Sequence, residues 1–142
     1  MNPPDATSVL LVDDEPIILA TVEAALSRAG YQVTALGNGA DASAHLAEHR
    51  PDVVVTDVAM EGMSGIDLLR RAKALDPDVA VIVVTGYCDA GTAIESLRLG
   101  AEDYLAKPFD FDELLLRVAR CAETRALRLR VRRCEEHLSD AP

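Results

Sequence analysis

Short runs of aliphatic residues alternate along this chain with longer stretches in which apolar positions recur every three or four residues. Val9-Leu10-Leu11-Val12, Val53-Val54-Val55-Thr56 and Val79-Ala80-Val81-Ile82-Val83-Val84 are continuous runs, the pattern of parallel strands buried on both faces. The intervening stretches carry helical stripes, such as Ile18, Val22, Ala25 and Leu26, or Leu68, Leu69 and Ala72. This alternation predicts an α/β fold: a doubly wound, five-stranded parallel sheet with helices on both faces. Strands fall at roughly 8–12, 31–36, 53–57, 79–85 and 102–105. Helices are predicted from Pro16 to Gly30, from Gly39 to Glu48, from Ser64-Gly65 to just before Pro77, and between Asp89 and Gly100.

The last helix breaks the pattern. Asp110 followed by Glu113 predicts a capping box, and no Gly or Pro interrupts the chain from there until Pro142. A helix over 111–138 would be about 40 Å long. Its first half has a face fit to cover a sheet: Leu114, Leu115, Val118, Cys121 and Ala122. The second half offers a short heptad-like seam of Leu127, Val131, Cys134 and Leu138, flanked by Arg125, Arg128, Arg130, Arg132 and Arg133. Residues 1–122 therefore form one domain, and residues 123–142 a helical extension or linker.

Composition narrows the classes. With 142 residues, 49% of them apolar and 4% aromatic, the chain can build one aliphatic core. No apolar stretch approaches the ~18 residues of a membrane span. Met1-Asn2-Pro3-Pro4-Asp5 lacks the features of a signal peptide, and the odd, scattered Cys88, Cys121 and Cys134 suit a reducing cytoplasm. The net charge of −10 argues against general nucleic-acid binding. It is uneven: residues 1–116 hold 7 basic and 20 acidic groups, whereas 117–142 hold 7 basic and 4 acidic. The arginine-rich helix is expected to present a solvated or dimer-flanking surface rather than a DNA-binding one, since no helix-turn-helix follows.

Candidate chemistry sits at the ends of the aliphatic runs. Asp13 and Asp14 close the first, Asp57 the third, Thr85 the fourth, and Lys107 follows Tyr104-Leu105-Ala106. Open α/β sheets hold ligands at the carboxyl ends of their strands. Three carboxylates gathered there would repel one another unless a cation sat among them, and oxygen-only ligands suit Mg²⁺. A hydroxyl and an ammonium facing such a carboxylate make a phosphoryl site.

The ordered set Asp13-Asp14, Asp57, Thr85 and Lys107-Pro108 resembles the receiver domain of two-component response regulators. The likeness extends through Asp57-Val-Ala-Met60-Glu-Gly-Met63-Ser-Gly65, Val83-Val84-Thr85-Gly86-Tyr87, and Gly100-Ala-Glu-Asp-Tyr104-Leu-Ala-Lys107-Pro-Phe109. It is greatest toward receivers of enhancer-binding transcription activators. The resemblance implies a flavodoxin-like strand order 2-1-3-4-5, to which the uninterrupted last helix adds a C-terminal extension. It implies Asp57 as phosphoacceptor for a sensor histidine kinase, a phosphotransfer protein or a small donor. Asp14, Asp57 and the Ala59 backbone carbonyl would ligate Mg²⁺, with Asp13 holding a water on the metal, and Lys107 and Thr85 would bind phosphoryl oxygens. Tyr104 would follow Thr85 in switching the face made by helix 4, strand 5 and helix 5, and a homodimer would form through that face and the Leu127–Leu138 seam. Lys107-Pro108 matches a turn that is typically cis in the family.

Three positions bear on timing. Glu61 stands where the family usually has proline, and the resemblance implies that Ala59 and Tyr87 occupy the two positions that tune loss of the phosphoryl group by hydrolysis. Ala59 has no polar group to orient water, so a phosphoryl state lasting minutes or more is expected.

Taken singly, each site residue also has a plainer reading. Asp13, Asp14 and Glu15 could be helix-start acids, Thr85 a strand-end hydroxyl, Lys107 a solvated charge and Tyr104 packing. His45 and His49 lie four apart on the second helix but have no third metal ligand in view, so they read as a solvated face. The first rival function is a phosphatase of the haloacid-dehalogenase type, which would carry Asp-x-Asp on the first strand. The adjacent Asp13-Asp14 and the third-strand Asp57 do not match that arrangement. The second rival is an interaction module independent of phosphorylation. The chain is therefore expected to be a signalling domain and not an enzyme acting on external substrates.

Overall fold

The computed structural model describes residues 6–86 and 90–139. The described chain alternates strand and helix throughout: β1 (Ser8–Val12), α1 (Pro16–Arg28), β2 (Gln32–Leu36), α2 (Gly39–Glu48), β3 (Val53–Asp57), α3 (Gly65–Leu75), β4 (Ala80–Thr85), α4 (Ala90–Arg98), β5 (Asp103–Ala106) and α5 (Phe111–Ser139). The sheet is parallel, in the order β2-β1-β3-β4-β5. The expected doubly wound architecture is therefore the observed one, and predicted strand limits lie within a residue of those found.

Local chemistry explains the helix limits. Pro16 opens α1, where its missing N–H loses no hydrogen bond. Gly30 and Gly100, both with φ near +100°, turn the chain after α1 and α4. Asn38 caps α2 by accepting from the Asp41 amide at 2.8 Å. Ser64 and Asp67 form a reciprocal capping box at α3. The box expected at α5 takes another form. Asp110 accepts from the Asp112 amide at 3.0 Å, while Glu113 binds the Arg117 guanidinium at 2.8 and 3.2 Å.

Strand alternation divides the core into two layers. Val9, Leu11, Val53, Val55, Ile82 and Val84 face α1 and α5, where they meet Val22, Leu26, Leu114 and Val118. Leu10, Val12, Val54, Val81 and Val83 meet Ala42, Leu46, Leu68, Leu69 and Ala72 of α2 and α3. Leu10, Leu26, Leu68, Leu69, Ile82 and Leu114 are fully buried, so truncating any one to Ala would cost about 2–5 kcal/mol.

α5 is one unbroken helix of 29 residues, about 43 Å long. The second-half seam lies open: Leu127, Val131, Cys134 and Leu138 are exposed. Arg130 and Arg133 are exposed as expected, but three of the five flanking arginines do more than face solvent. Arg125 is only 8% exposed and, with Arg128 and Arg132, pairs with carboxylates of the sheet's lower loops.

The two described cysteines differ sharply. Burial is the main force pushing the Cys121 thiol up to about 12, with the Glu102 and Asp103 charges adding to it, whereas Cys134 is exposed. At neutral pH Cys121 then holds roughly a thousandfold less thiolate than a free cysteine. In the native protein a maleimide is expected to label Cys134 and spare Cys121, read by peptide mass mapping. Equal labelling would show that α5 does not pack as described.

Candidate functional site at the carboxyl rim of the sheet

Parallel register carries the acidic run ends to one rim. Val12 pairs with Thr56, so Asp13 and Asp57 leave adjacent strands side by side. Asp57 pairs with Val84, which places Thr85 one residue beyond it on β4, and Thr85 pairs with Ala106, the residue before Lys107. The rim is held by backbone bonds: Lys107 N–H to the Thr85 carbonyl at 2.7 Å, Val58 N–H to Val84 at 2.8 Å and Gly65 N–H to Val58 at 3.0 Å.

Asp13, Asp14 and Asp57 each offer a carboxylate oxygen to a cluster within 4.8 Å. Asp13 and Asp57 are each 5% exposed, while Asp14 is exposed. Two buried anions and one at the mouth form a hard, oxygen-only donor set with solvent access, which fits a small divalent cation such as Mg²⁺. Among the described residues no other group of three or more His, Cys, Asp or Glu side chains is close enough to share an ion. His45 and His49 stack with ring centroids 4.4 Å apart and belong to no such group.

The Lys107 ammonium lies 2.9 Å from Asp13, 3.2 Å from Glu15 and 3.3 Å from Asp57. Burial alone would depress its pKa. The hydrogen bond to Asp13 and the charges of Asp57 and Asp13 outweigh that effect and hold it above the usual lysine value, so it is a cation at neutral pH. For Asp57, burial raises the pKa above the ordinary 3.8; Lys107 opposes the rise and Asp13 adds to it.

The sequence-predicted set is thus largely assembled. Asp13, Asp14, Asp57 and Lys107 converge, and Thr85, 6% exposed, ends the neighbouring strand. Tyr104 is half-buried on β5, opposite Val83. Ala59 and Glu61 are exposed on the loop after Asp57, and Tyr87 lies outside the described residues. Sequence reasoning missed Glu15 as a partner of Lys107, because it looked like a helix-start acid. It also missed an apolar cleft of about 430 Å³ beside the cluster. Ile17, Ile18, Phe109 and Phe111 line that cleft with Glu15 and Lys107, and Ile17 is 82% exposed. The available signal was Ile17, an isoleucine standing outside the apolar stripe of Ile18, Val22, Ala25 and Leu26.

Comparisons with known proteins agree with this geometry. The profile of the response regulator receiver domain matches residues 9–119. The chain is 36% identical over 131 residues to the regulatory protein AtoC of Escherichia coli K12, covering 92% of this chain and 28% of AtoC. It is 41% identical over 112 residues to the DNA-binding transcriptional regulator NtrC of the same organism, covering 79% of this chain and 24% of NtrC. Only a minor part of each of these two relatives is therefore spanned. Among solved structures, a CheY-like receiver domain protein from Methanospirillum hungatei JF-1 superposes with a TM-score of 0.83 at 27% identity, covering 87% of this chain and 98% of that one. NtrX from Brucella abortus gives 0.84 at 31% identity, covering 91% of this chain and 29% of that one. Fold, clustered rim carboxylates and sequence together place this chain in the response regulator receiver domain family of two-component systems.

Proposed function

We propose that the chain is a phosphoacceptor receiver that takes a phosphoryl group onto Asp57 and uses the modification to change partners. The observation that carries this reading is the convergence of Asp13, Asp14, Asp57 and Lys107 on one rim. An Asp57 carboxylate oxygen attacks phosphorus. An acyl phosphate P–O bond forms as the bond to the donor's histidine nitrogen, or to a small donor's oxygen, breaks. Lys107 binds the incoming phosphoryl oxygens, and Thr85 donates to one of them. Asp13, Asp14, Asp57 and the Ala59 carbonyl would hold Mg²⁺, which when bound offsets the charge of the transferring group. Transfer modifies the domain itself, so it is no enzyme with turnover on external substrates.

A donor must approach at the rim. The Ile17–Phe111 cleft suits the apolar surface of a sensor histidine kinase or phosphotransfer protein, with its reactive group over Asp57. Leu116 falls on the same helical strip of α5 as Leu127, Val131 and Leu138, and all four, with Ile94 and Leu97 of α4, are more than half exposed. That strip suits a homodimer through α4, β5, α5 and the extension, with Tyr104 and Thr85 linking it to the phosphoryl state. Residues 1–122 act as the receiver and 123–142 as its C-terminal extension or linker, in a cytoplasmic transcription-control pathway. Among the described residues no helix is long and apolar enough to cross a membrane.

Beryllofluoride with Mg²⁺, a mimic of the acyl phosphate, is expected to shift the protein from monomer to dimer in sedimentation velocity. A monomer at every concentration with the mimic bound would contradict the dimer reading. A mimic that leaves the spectrum of the protein unchanged would contradict the phosphoacceptor reading as well.

A further inference from the structure

Beyond Cys121, α5 runs past the covered face of the sheet, yet it remains tied to the sheet's lower edge. Arg125 donates from Nε to Asp52 at 2.8 Å and from Nη1 to Asp76 at 2.7 Å. Arg128 Nη1 lies 2.5 Å from Glu102. Arg132 grips both oxygens of Asp78, at 2.7 and 3.0 Å. The acids come from the segments leading into β3, β4 and β5, the three strands whose far ends carry Asp57, Thr85 and Lys107.

These carboxylates are themselves anchored. Asp52 accepts from the Ser8 amide at 2.9 Å. Glu102 accepts from the Val81 amide at 2.6 Å and from Lys73 at 3.0 Å. Positions 125, 128 and 132 share one helical face, and Leu127, Val131 and Leu138 lie on another that stays exposed. An isolated helix of about 15 residues is marginal in water. A lone surface ion pair would add little to it, but a network with one buried arginine and one two-pronged grip is stronger.

We propose that Arg125, Arg128 and Arg132 form an ionic latch that holds the second half of α5 folded and fixed in direction against the base of the sheet, so that each monomer presents the Leu127–Leu138 seam already formed. This deepens the dimer reading given above and rests on it for the seam's use. A pre-ordered seam loses less entropy on pairing than one that must fold first.

Hydrogen exchange at a dilution where the protein sediments as a monomer tests the latch. In Arg128→Gln/Arg132→Gln, which retains buried Arg125, amides of residues 126–138 are expected to exchange at least about tenfold faster while sheet amides keep their rates. Salt at about 1 M should move the wild type the same way, to a smaller degree. The charge swap Asp78→Arg/Arg132→Asp should recover protection relative to Arg132→Asp alone. Unchanged protection in the double glutamine variant would overturn the proposal. So would protection that follows protein concentration rather than the arginines, since pairing of copies would then order the helix. If beryllofluoride leaves the protein monomeric while the glutamine variant still loosens the helix, the latch stands and the dimer reading falls.

Discussion

Replacing Asp57 by asparagine is expected to reduce Mg²⁺-dependent phosphoryl uptake from acetyl phosphate by at least about 10³-fold, with the fold intact. The carboxamide has nearly the same shape but no anionic oxygen to attack phosphorus. Asp13 stays beside Lys107 at 2.9 Å, so the rim keeps its ion pair. The effect on stability has a definite sign. Burial first, and Asp13 after it, raise the Asp57 pKa above 3.8 against the pull of Lys107. A carboxyl that holds its proton more tightly in the folded state adds stability at low pH, and that contribution is lost as pH rises through the folded pKa. At neutral pH the ionised Asp57 is therefore a strained member of the cluster, and asparagine should leave the melting temperature unchanged or higher. Undiminished phosphoryl uptake by the variant would show that Asp57 is not the acceptor. Loss of uptake with a lowered melting temperature would show that the loss came from unfolding.

Gly65→Ala carries the largest expected cost in stability. A Cβ there would lie 2.1 Å from the Asp57 carbonyl oxygen, 2.8 Å from its carbonyl carbon and 2.8 Å from Val58 Cα. All three are backbone atoms at the end of a central strand, so no side-chain rotation can relieve the overlap. The first turn of α3 or the end of β3 must move, and we expect a loss of about 3–5 kcal/mol. For a domain of this size that lowers the melting temperature by roughly 6–20 °C. The displaced Asp57 should also lose phosphoryl uptake in whatever protein remains folded. Gly37→Ala is the control: a Cβ there meets nothing within 4 Å, and the change should stay within about 1 kcal/mol. Equal melting temperatures for the two variants would contradict the close approach of α3 to the site.

What the sequence disclosed depended on the range of the interaction. Val53-Val54-Val55 and Val81-Ile82-Val83-Val84 announce buried strands because every side chain in them must be apolar, whichever face it points to. Asp13, Asp57 and Lys107 were legible as a site because each stands where an aliphatic run ends, and parallel strands bring their ends together. Pairings outside that periodicity were not legible. Arg125 meets Asp52 across 73 positions and Asp76 across 49, and no local pattern joins them. Its charge suggested solvent, whereas two fixed carboxylates make its burial tolerable. Glu113 had the spacing for a capping box, but an arginine one turn later offered it a full charge. Glu15 failed to stand out because a first-turn acid is ordinary, and its place beside Lys107 depends on the return of a strand end 92 residues away.

The central claim is that Asp57, among the three rim carboxylates, receives the phosphoryl group. Borohydride reduction after incubation with acetyl phosphate and Mg²⁺, followed by peptide sequencing, reads this directly, because an aspartyl phosphate is reduced to homoserine where a free carboxylate is not. The account predicts homoserine at position 57, dependent on Mg²⁺. Homoserine at Asp13 or Asp14, or none anywhere while the protein stays folded, would contradict it.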